Sequence, residues 1–121
     1  MTPRFHEKLE VWQDAMALVV MTYQFCLSIP NTEKYGLISQ MQRAAVSIPS
    51  NISEGAARDS TRDYLRFLVI ARGSLAELET QIKICQRLEF CADTDAETTL
   101  AQCNKVFAKL SALIRSLKKK L

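Results

Sequence analysis

Five polar side chains, Gln40, Arg43, Ser47, Asn51 and Glu54, recur at spacings of three and four within a stretch whose other residues are largely apolar. At about 100° per residue, Gln40 and Glu54 fall roughly 20° to either side of Ser47, and Arg43 and Asn51 roughly 40°. A helix would therefore carry all five as one stripe over four turns. Ser74, Glu77 and Gln81 repeat the spacing further along, with Gly73 beside them to allow close approach. Two chemistries suit these residue types. In one, Glu54 or Glu77 acts as a general acid or base in a polar pocket, which calls for a partner titrating near neutrality. The only histidine, His6, lies near the N-terminus and reads as a solvated terminal residue. In the other, the stripes form an interhelical or intersubunit network closed by an Arg43–Glu77 ion pair, because a charge beside a core must be paired. The residues favour the second.

Other chemistries lack their parts. The Glu-x-x-His pattern of di-iron bundles is missing, as are phosphate-binding glycine loops and dinucleotide fingerprints. Cys26, Cys85, Cys91 and Cys103 contain no Cys-x-x-Cys pair, and one histidine cannot complete a metal site. Three of the four lie on apolar stripes, where a reduced thiol behaves as a small hydrophobe. No catalytic residue, metal or cofactor is expected.

The elements that position the stripes can be read by period. Between Glu7 and Ile29 two apolar seams run side by side, Leu9, Trp12, Met16, Val19, Tyr23, Cys26 and Val11, Ala15, Leu18, Thr22, Phe25, Ile29. Together they are too wide for one side of a surface helix in a small bundle. Pro30 ends this helix, and Asn31 or Thr32 is placed to cap the next. The second helix spans about Thr32 to Ala57 with Leu37, Met41, Ala45, Ile48 and Ile52 as its apolar set. Pro49 removes the bond to the Ala45 carbonyl, so the periodicity predicts one continuous helix kinked there, the hydroxyl of Ser47 or Ser50 helping to satisfy the freed group. The third begins at a Ser60 cap and carries Tyr64, Leu68, Ala71, Leu75, Leu78, Ile82 and Cys85 at strict heptad spacing. The fourth begins at Thr94, with Glu97 completing a capping box, and carries Leu100, Cys103, Phe107, Leu110, Ile114, Leu117 and Leu121. Short connections predict an all-α, antiparallel up-and-down four-helix bundle, one domain over residues 1–121.

With 121 residues, 48% of them hydrophobic and 24% charged, the chain can bury a core without staples. The longest apolar run, Ala15 to Met21, is far short of the roughly 18 residues of a membrane span. The N-terminal residues show no apolar stretch of the secretory kind, so a cytoplasmic protein without a membrane partner is expected. The net charge of +3 is uneven. Residues 1–60 hold five basic and six acidic side chains, and residues 61–121 hold eleven and seven. Lys105 to Leu121 contains six basic residues and no acid, which suits a polyanion or the negative end of a helix.

Three segments carry a resemblance: LEVWQDA, PNTEKYGLISQMQRAAVSIPSNISEG and FLVIARGSLAELETQIKI. In order and spacing they resemble the four-helix-bundle family of 23S rRNA intervening-sequence proteins, to which the accessory variability proteins of diversity-generating retroelements are similar. The core pattern R-A-x-x-S-I-P-x-N-I-x-E-G is long and mixed in composition, and the one departure is Ser53, where the pattern usually has Ala. The resemblance implies a cytosolic bundle that assembles as a ring, a homopentamer. Many members have no assigned function, and the retroelement relatives are basic pentamers that associate with nucleic acid and a reverse transcriptase. Arg43, Ser47, Pro49, Asn51, Glu54, Ser74 and Glu77 match the pattern, which gives none of them a catalytic role.

A non-enzymatic oligomeric scaffold or adaptor is therefore the leading expectation, its partner being itself or another protein. The wide apolar face of the first helix supports self-association. The alternative is a ring that binds RNA or DNA through Arg62, Arg66 and Arg72 on the third helix and Lys105, Lys109, Arg115, Lys118, Lys119 and Lys120 on the fourth. A surplus of +3 is weak for a nucleic-acid module but multiplies to about +15 around five subunits.

Overall fold

The computed structural model describes residues 3–121. Four helices account for most of them: α1 (Glu10–Cys26), α2 (Leu37–Ala56), α3 (Thr61–Arg87) and α4 (Asp93–Lys118). No strand occurs among the described residues. Each helix packs on two others, so that α1, α2, α3 and α4 close into a ring around one core. Residue numbers rise along α2 as they fall along α3: Met41 meets Cys85, Ser47 meets Ser74, and Gly55 meets Tyr64 and Phe67.

The core follows the apolar periods. Leu18, Met41, Ile48, Ile52, Leu68, Leu75, Leu78, Ile82, Val106 and Leu110 are fully buried, each contributing about 1.5–3 kcal/mol of transfer free energy. Of the two seams on α1, only the one from Val11 to Phe25, with Ile29 beyond the helix end, faces this core throughout. On α4 the stripe is Ala96, Thr99, Cys103, Val106, Leu110, Ile114 and Leu117. Phe107, expected inside, is 47% exposed, because the step from Cys103 to the core is three residues, to Val106, and not four.

Helix ends depart from the sequence reading in three places. Phe5–Lys8 is a separate 3₁₀ turn, and α1 starts only at Glu10. Asn31–Glu33 is likewise a 3₁₀ turn, so neither Asn31 nor Thr32 caps α2; the Glu33 carboxylate instead accepts from the Leu37 N–H at 3.4 Å. Thr94 lies inside α4, which begins after Ala92 without a side-chain cap. Asp93 and Asp95 put negative charge on its first turn, which the helix dipole favours. The Ser60 cap on α3 is present, its Oγ accepting from the Asp63 N–H at 3.1 Å.

The α2 helix runs unbroken through Pro49, which is buried. Neither hydroxyl expected to satisfy the carbonyl that Pro49 frees does so among the described residues: Ser47 Oγ bonds to Ser74 and Asn51, and Ser50 Oγ makes no hydrogen bond there.

Candidate functional site

The polar stripes do meet. Ser47 Oγ and Ser74 Oγ lie 2.9 Å apart across the α2–α3 junction, and the Asn51 amide donates to both the Ser47 carbonyl (2.8 Å) and its hydroxyl (2.9 Å). These three side chains are half-buried. The Ser47–Ser74 bond joins the two helices, the Asn51 bonds hold the Ser47 hydroxyl from within α2, and a buried donor left unmade would cost about 1–3 kcal/mol. The rest of the set lies outside these bonds. Gln40, Arg43, Glu54 and Glu77 are exposed.

The expected Arg43–Glu77 ion pair does not form. The Glu77 carboxylate instead accepts from Gln81 Nε2 at 3.2 Å, and no ion pair among the described residues includes Arg43. The reason is solvation: two exposed charged groups stay hydrated, and a surface pair gains at most about 1 kcal/mol. Gln81 is only 4% exposed, and its Oε1 is buried without a donor. Gly73, expected at a close approach, has nothing within 4 Å of an added Cβ, whereas at Gly55 that atom would lie 2.9 Å from Phe67 Cβ.

A feature the polar residues did not announce lies along α1 and α2. Met16 (42%), Val20 (58%), Tyr23 (45%) and Leu27 (85%) are exposed at 4-3-4 spacing, and Val46 (41%) and Tyr35 (90%) extend the apolar band across α2 and the turn before it. Three open clefts adjoin as one furrow, the middle one sharing Tyr23, Ser39 and Gln42 with the first and Val46 with the third; the largest, of about 720 Å³, lies between the end of α1 and the start of α2. The half-buried His6 closes one end, its ring edge-on to Trp12 at 5.3 Å, so it is a packed residue and not a solvated terminus. The sequence signal for this band was the 4-3-4 step from Met16, hidden because the two recognised seams took only part of it.

The basic candidates divide into two groups. Lys109 Nζ lies 2.6 Å from Asp14 and 3.1 Å from Glu10, and Lys105 lies 3.5 Å from Asp14, so both tie α4 to α1. The bonds to Asp14 and then Glu10 hold the Lys109 ammonium above its ordinary pKa. Arg66 sits 3.9 Å from Asp63, and it and Arg58 lie over the Phe67 ring at 5.3 and 4.7 Å. Arg62, Arg115, Lys118, Lys119 and Lys120 are exposed and Arg72 half-buried, none in an ion pair among the described residues.

The sulfurs are placed for packing. All four cysteines are free, and Cys26, Cys85 and Cys103 are buried. Burial pushes the thiol of Cys26 up to about 11 and those of Cys85 and Cys103 up to about 12, which leaves them without the thiolate a nucleophile or ligand needs. Among the described residues no group of three His, Cys, Asp or Glu side chains is arranged to hold a metal ion, and no helix is long and apolar enough to cross a membrane.

Comparison with known proteins agrees with this architecture. A protein of unknown function from Bacteroides thetaiotaomicron, of the S23 ribosomal protein family, shares the fold with a TM-score of 0.78 at 21% identity, over 87% of this chain and 95% of that one. Comparison with curated proteins gives no match. The family model described as 23S rRNA-intervening sequence protein matches residues 7–112, which takes in all of α1, α2 and α3 and most of α4. By that match the chain belongs to the 23S rRNA-intervening sequence protein family.

Proposed function

We propose that the protein is a non-enzymatic, self-associating scaffold whose α1–α2 furrow is covered by a second copy of the chain. The observation that carries this reading is the exposed stripe Met16, Val20, Tyr23 and Leu27. Apolar side chains at 4-3-4 spacing on a helix suit packing against another helix, and a contiguous apolar band marks an interaction surface where scattered apolar residues would not. The polar seam serves this role as a register lock within the subunit that presents the furrow. Mass in solution, by light scattering over a range of dilutions, tests the reading. An oligomer is expected, and Val20→Glu with Tyr23→Glu shifts it to monomer while leaving the helical circular dichroism intact. A wild-type mass of one chain at all concentrations refutes it.

A second reading, contact with RNA or DNA, draws on the cations without ion pairs on α3 and at the end of α4. It rests on fewer charges than the sequence suggested, since Lys105 and Lys109 neutralise Asp14 and Glu10. Affinity for a single-stranded oligonucleotide that falls steeply with salt supports it. No binding at low salt refutes it.

A further inference from the structure

The self-association proposed above leaves open which surface of the second copy enters the furrow. Arg43 borders the furrow beside Tyr23, Ser39, Gln42, Val46 and Ser47, and its cation has no carboxylate partner among the described residues. Glu77 is a carboxylate without a cation among the described residues, on the helix next to that of Arg43, yet the two do not pair within the chain. Beneath Glu77 the buried Gln81 spends its Nε2 on that carboxylate and keeps an Oε1 with no donor. Gln81 Oε1 is one of three buried side-chain oxygens without a partner among the described residues, with those of Tyr64 and Ser111, and it alone lies beside an unpaired carboxylate; a guanidinium arriving from outside would pair with Glu77 and carries donors to spare for that acceptor.

The surroundings of Glu77 are those of a contact surface. Ile70, Gly73, Glu77, Thr80 and Ile84 recur at 3-4-3-4 spacing and are all exposed, Ile70 at 46% and Ile84 at 41%. Gly73 lies in the middle of this stripe. A glycine inside a helix costs about 1 kcal/mol relative to alanine, and nothing in its own chain comes within 4 Å of the space its Cβ would fill. No packing within the subunit explains it, whereas a neighbouring helix approaching α3 closely would. The furrow and the α3 stripe thus both expose apolar side chains, and Arg43 on one and Glu77 on the other carry opposite charges.

We infer that one protomer seats its α3 stripe in the α1–α2 furrow of its neighbour, with Arg43 of the neighbour paired to Glu77 across the contact. This rests on the self-association reading and assigns its second surface. Charge reversals at these two exposed positions test it, with circular dichroism of each variant checking the fold, since Glu77→Arg also removes the acceptor of Gln81 Nε2. Arg43→Glu alone and Glu77→Arg alone each place like charges across the contact, which costs several kcal/mol, so each weakens assembly roughly tenfold or more. The decisive step is to mix the two variants. In one mixed contact the introduced glutamate of the first variant faces the introduced arginine of the second. In the reciprocal contact the unaltered Arg43 faces the unaltered Glu77. Every mixed contact is therefore attractive, and native mass spectrometry should show hetero-assemblies at concentrations where neither variant assembles alone; in a ring of five one like-charge contact remains, so the rescue is partial there. A wild-type protein that is monomeric overturns the self-association reading itself. A wild-type oligomer whose single variants assemble normally, or whose mixture is not rescued, overturns this assignment alone. Rescue confined to the double variant in one chain also overturns it, by placing the pair within the subunit.

Discussion

Replacing Gly55 with alanine puts a Cβ 2.9 Å from Phe67 Cβ, 3.0 Å from Tyr64 Cδ1 and 3.1 Å from the Tyr64 carbonyl oxygen. Two of those three atoms are backbone or fixed to it, so they cannot turn away, and the helices must separate by several tenths of an ångström. Overpacking of this kind costs about 1–3 kcal/mol. Against it stands the gain in helix propensity, at most about 1 kcal/mol and less at Gly55, one residue from the end of α2. The balance is a loss of about 1–2 kcal/mol. At Gly73 the same methyl group meets nothing, and the position is deep inside α3. The propensity gain stands alone, and the subunit becomes more stable by about 0.5–1 kcal/mol.

Urea unfolding followed by circular dichroism measures both changes, with midpoints compared at unchanged slope. Association adds a concentration-dependent term, so the comparison belongs at dilutions where each protein is dissociated. Gly55→Ala is expected to unfold at lower urea than wild type and Gly73→Ala at higher. A Gly55→Ala protein as stable as wild type would mean that α2 and α3 are not pressed together there. If Gly73→Ala destabilised the dissociated subunit, the claim that its Cβ site is empty would fail, and with it the role of that glycine as an intersubunit approach.

Three further perturbations follow. Glu89 closes α3 with φ 58°, its N–H bonded to the Gln86 carbonyl and that of Phe90 to the Cys85 carbonyl; this left-handed position favours glycine, so Glu89→Gly should stabilise by about 0.5–1 kcal/mol in the same unfolding assay. Ser60→Ala removes the oxygen that accepts the Asp63 N–H and should cost about 1 kcal/mol, with Ser60→Asp restoring most of it. The buried thiols make the fold alkali-sensitive. Cys26, Cys85 and Cys103 ionise near 9.0 when unfolded but near 11, 12 and 12 when folded, so their contribution is intact below pH 9 and declines above it, by roughly 1 kcal/mol per thiol per pH unit. Unfolding free energies measured from pH 8 to 10.5 should show that fall, and a Cys103→Ala protein a shallower one.

The fold was legible because its core obeys one period. From Leu68 to Cys85 the heptad spacing predicted α3 residue by residue, since each of those side chains is fully buried and has no competing partner. Helix ends were less legible. They depend on which of several nearby groups takes an orphan N–H: Thr94 and Asn31 were plausible caps by type, but a 3₁₀ turn and a carboxylate from Glu33 displaced Asn31, and α4 starts ahead of Thr94. Phe107 was misplaced because spacings of three and four both fit a helix, and only the position of the neighbouring helices decides between Val106 and Phe107.

The candidate site was legible in part for the same physical reason. Ser47, Asn51 and Ser74 are short side chains whose reach is one hydrogen bond, so sharing a face at a helix junction is enough to bring them together. Arg43 and Glu77 are long and keep their charged ends in water, so sequence spacing fixes where they are rooted but not what they touch. The same difference in reach bears on the stripe's chemistry. A general acid or base needs a carboxyl group drawn out of water beside a reacting group, and the carboxylates of this stripe, Glu54 and Glu77, stay exposed, while the less exposed groups are the Ser47 and Ser74 hydroxyls and the amides of Asn51 and Gln81, the last bonded to the Glu77 carboxylate. The stripe joins α2 to α3 through Ser47 and Ser74 and keeps Arg43, Glu54 and Glu77 at the surface, where the proposed contact with a second copy would use Arg43 and Glu77.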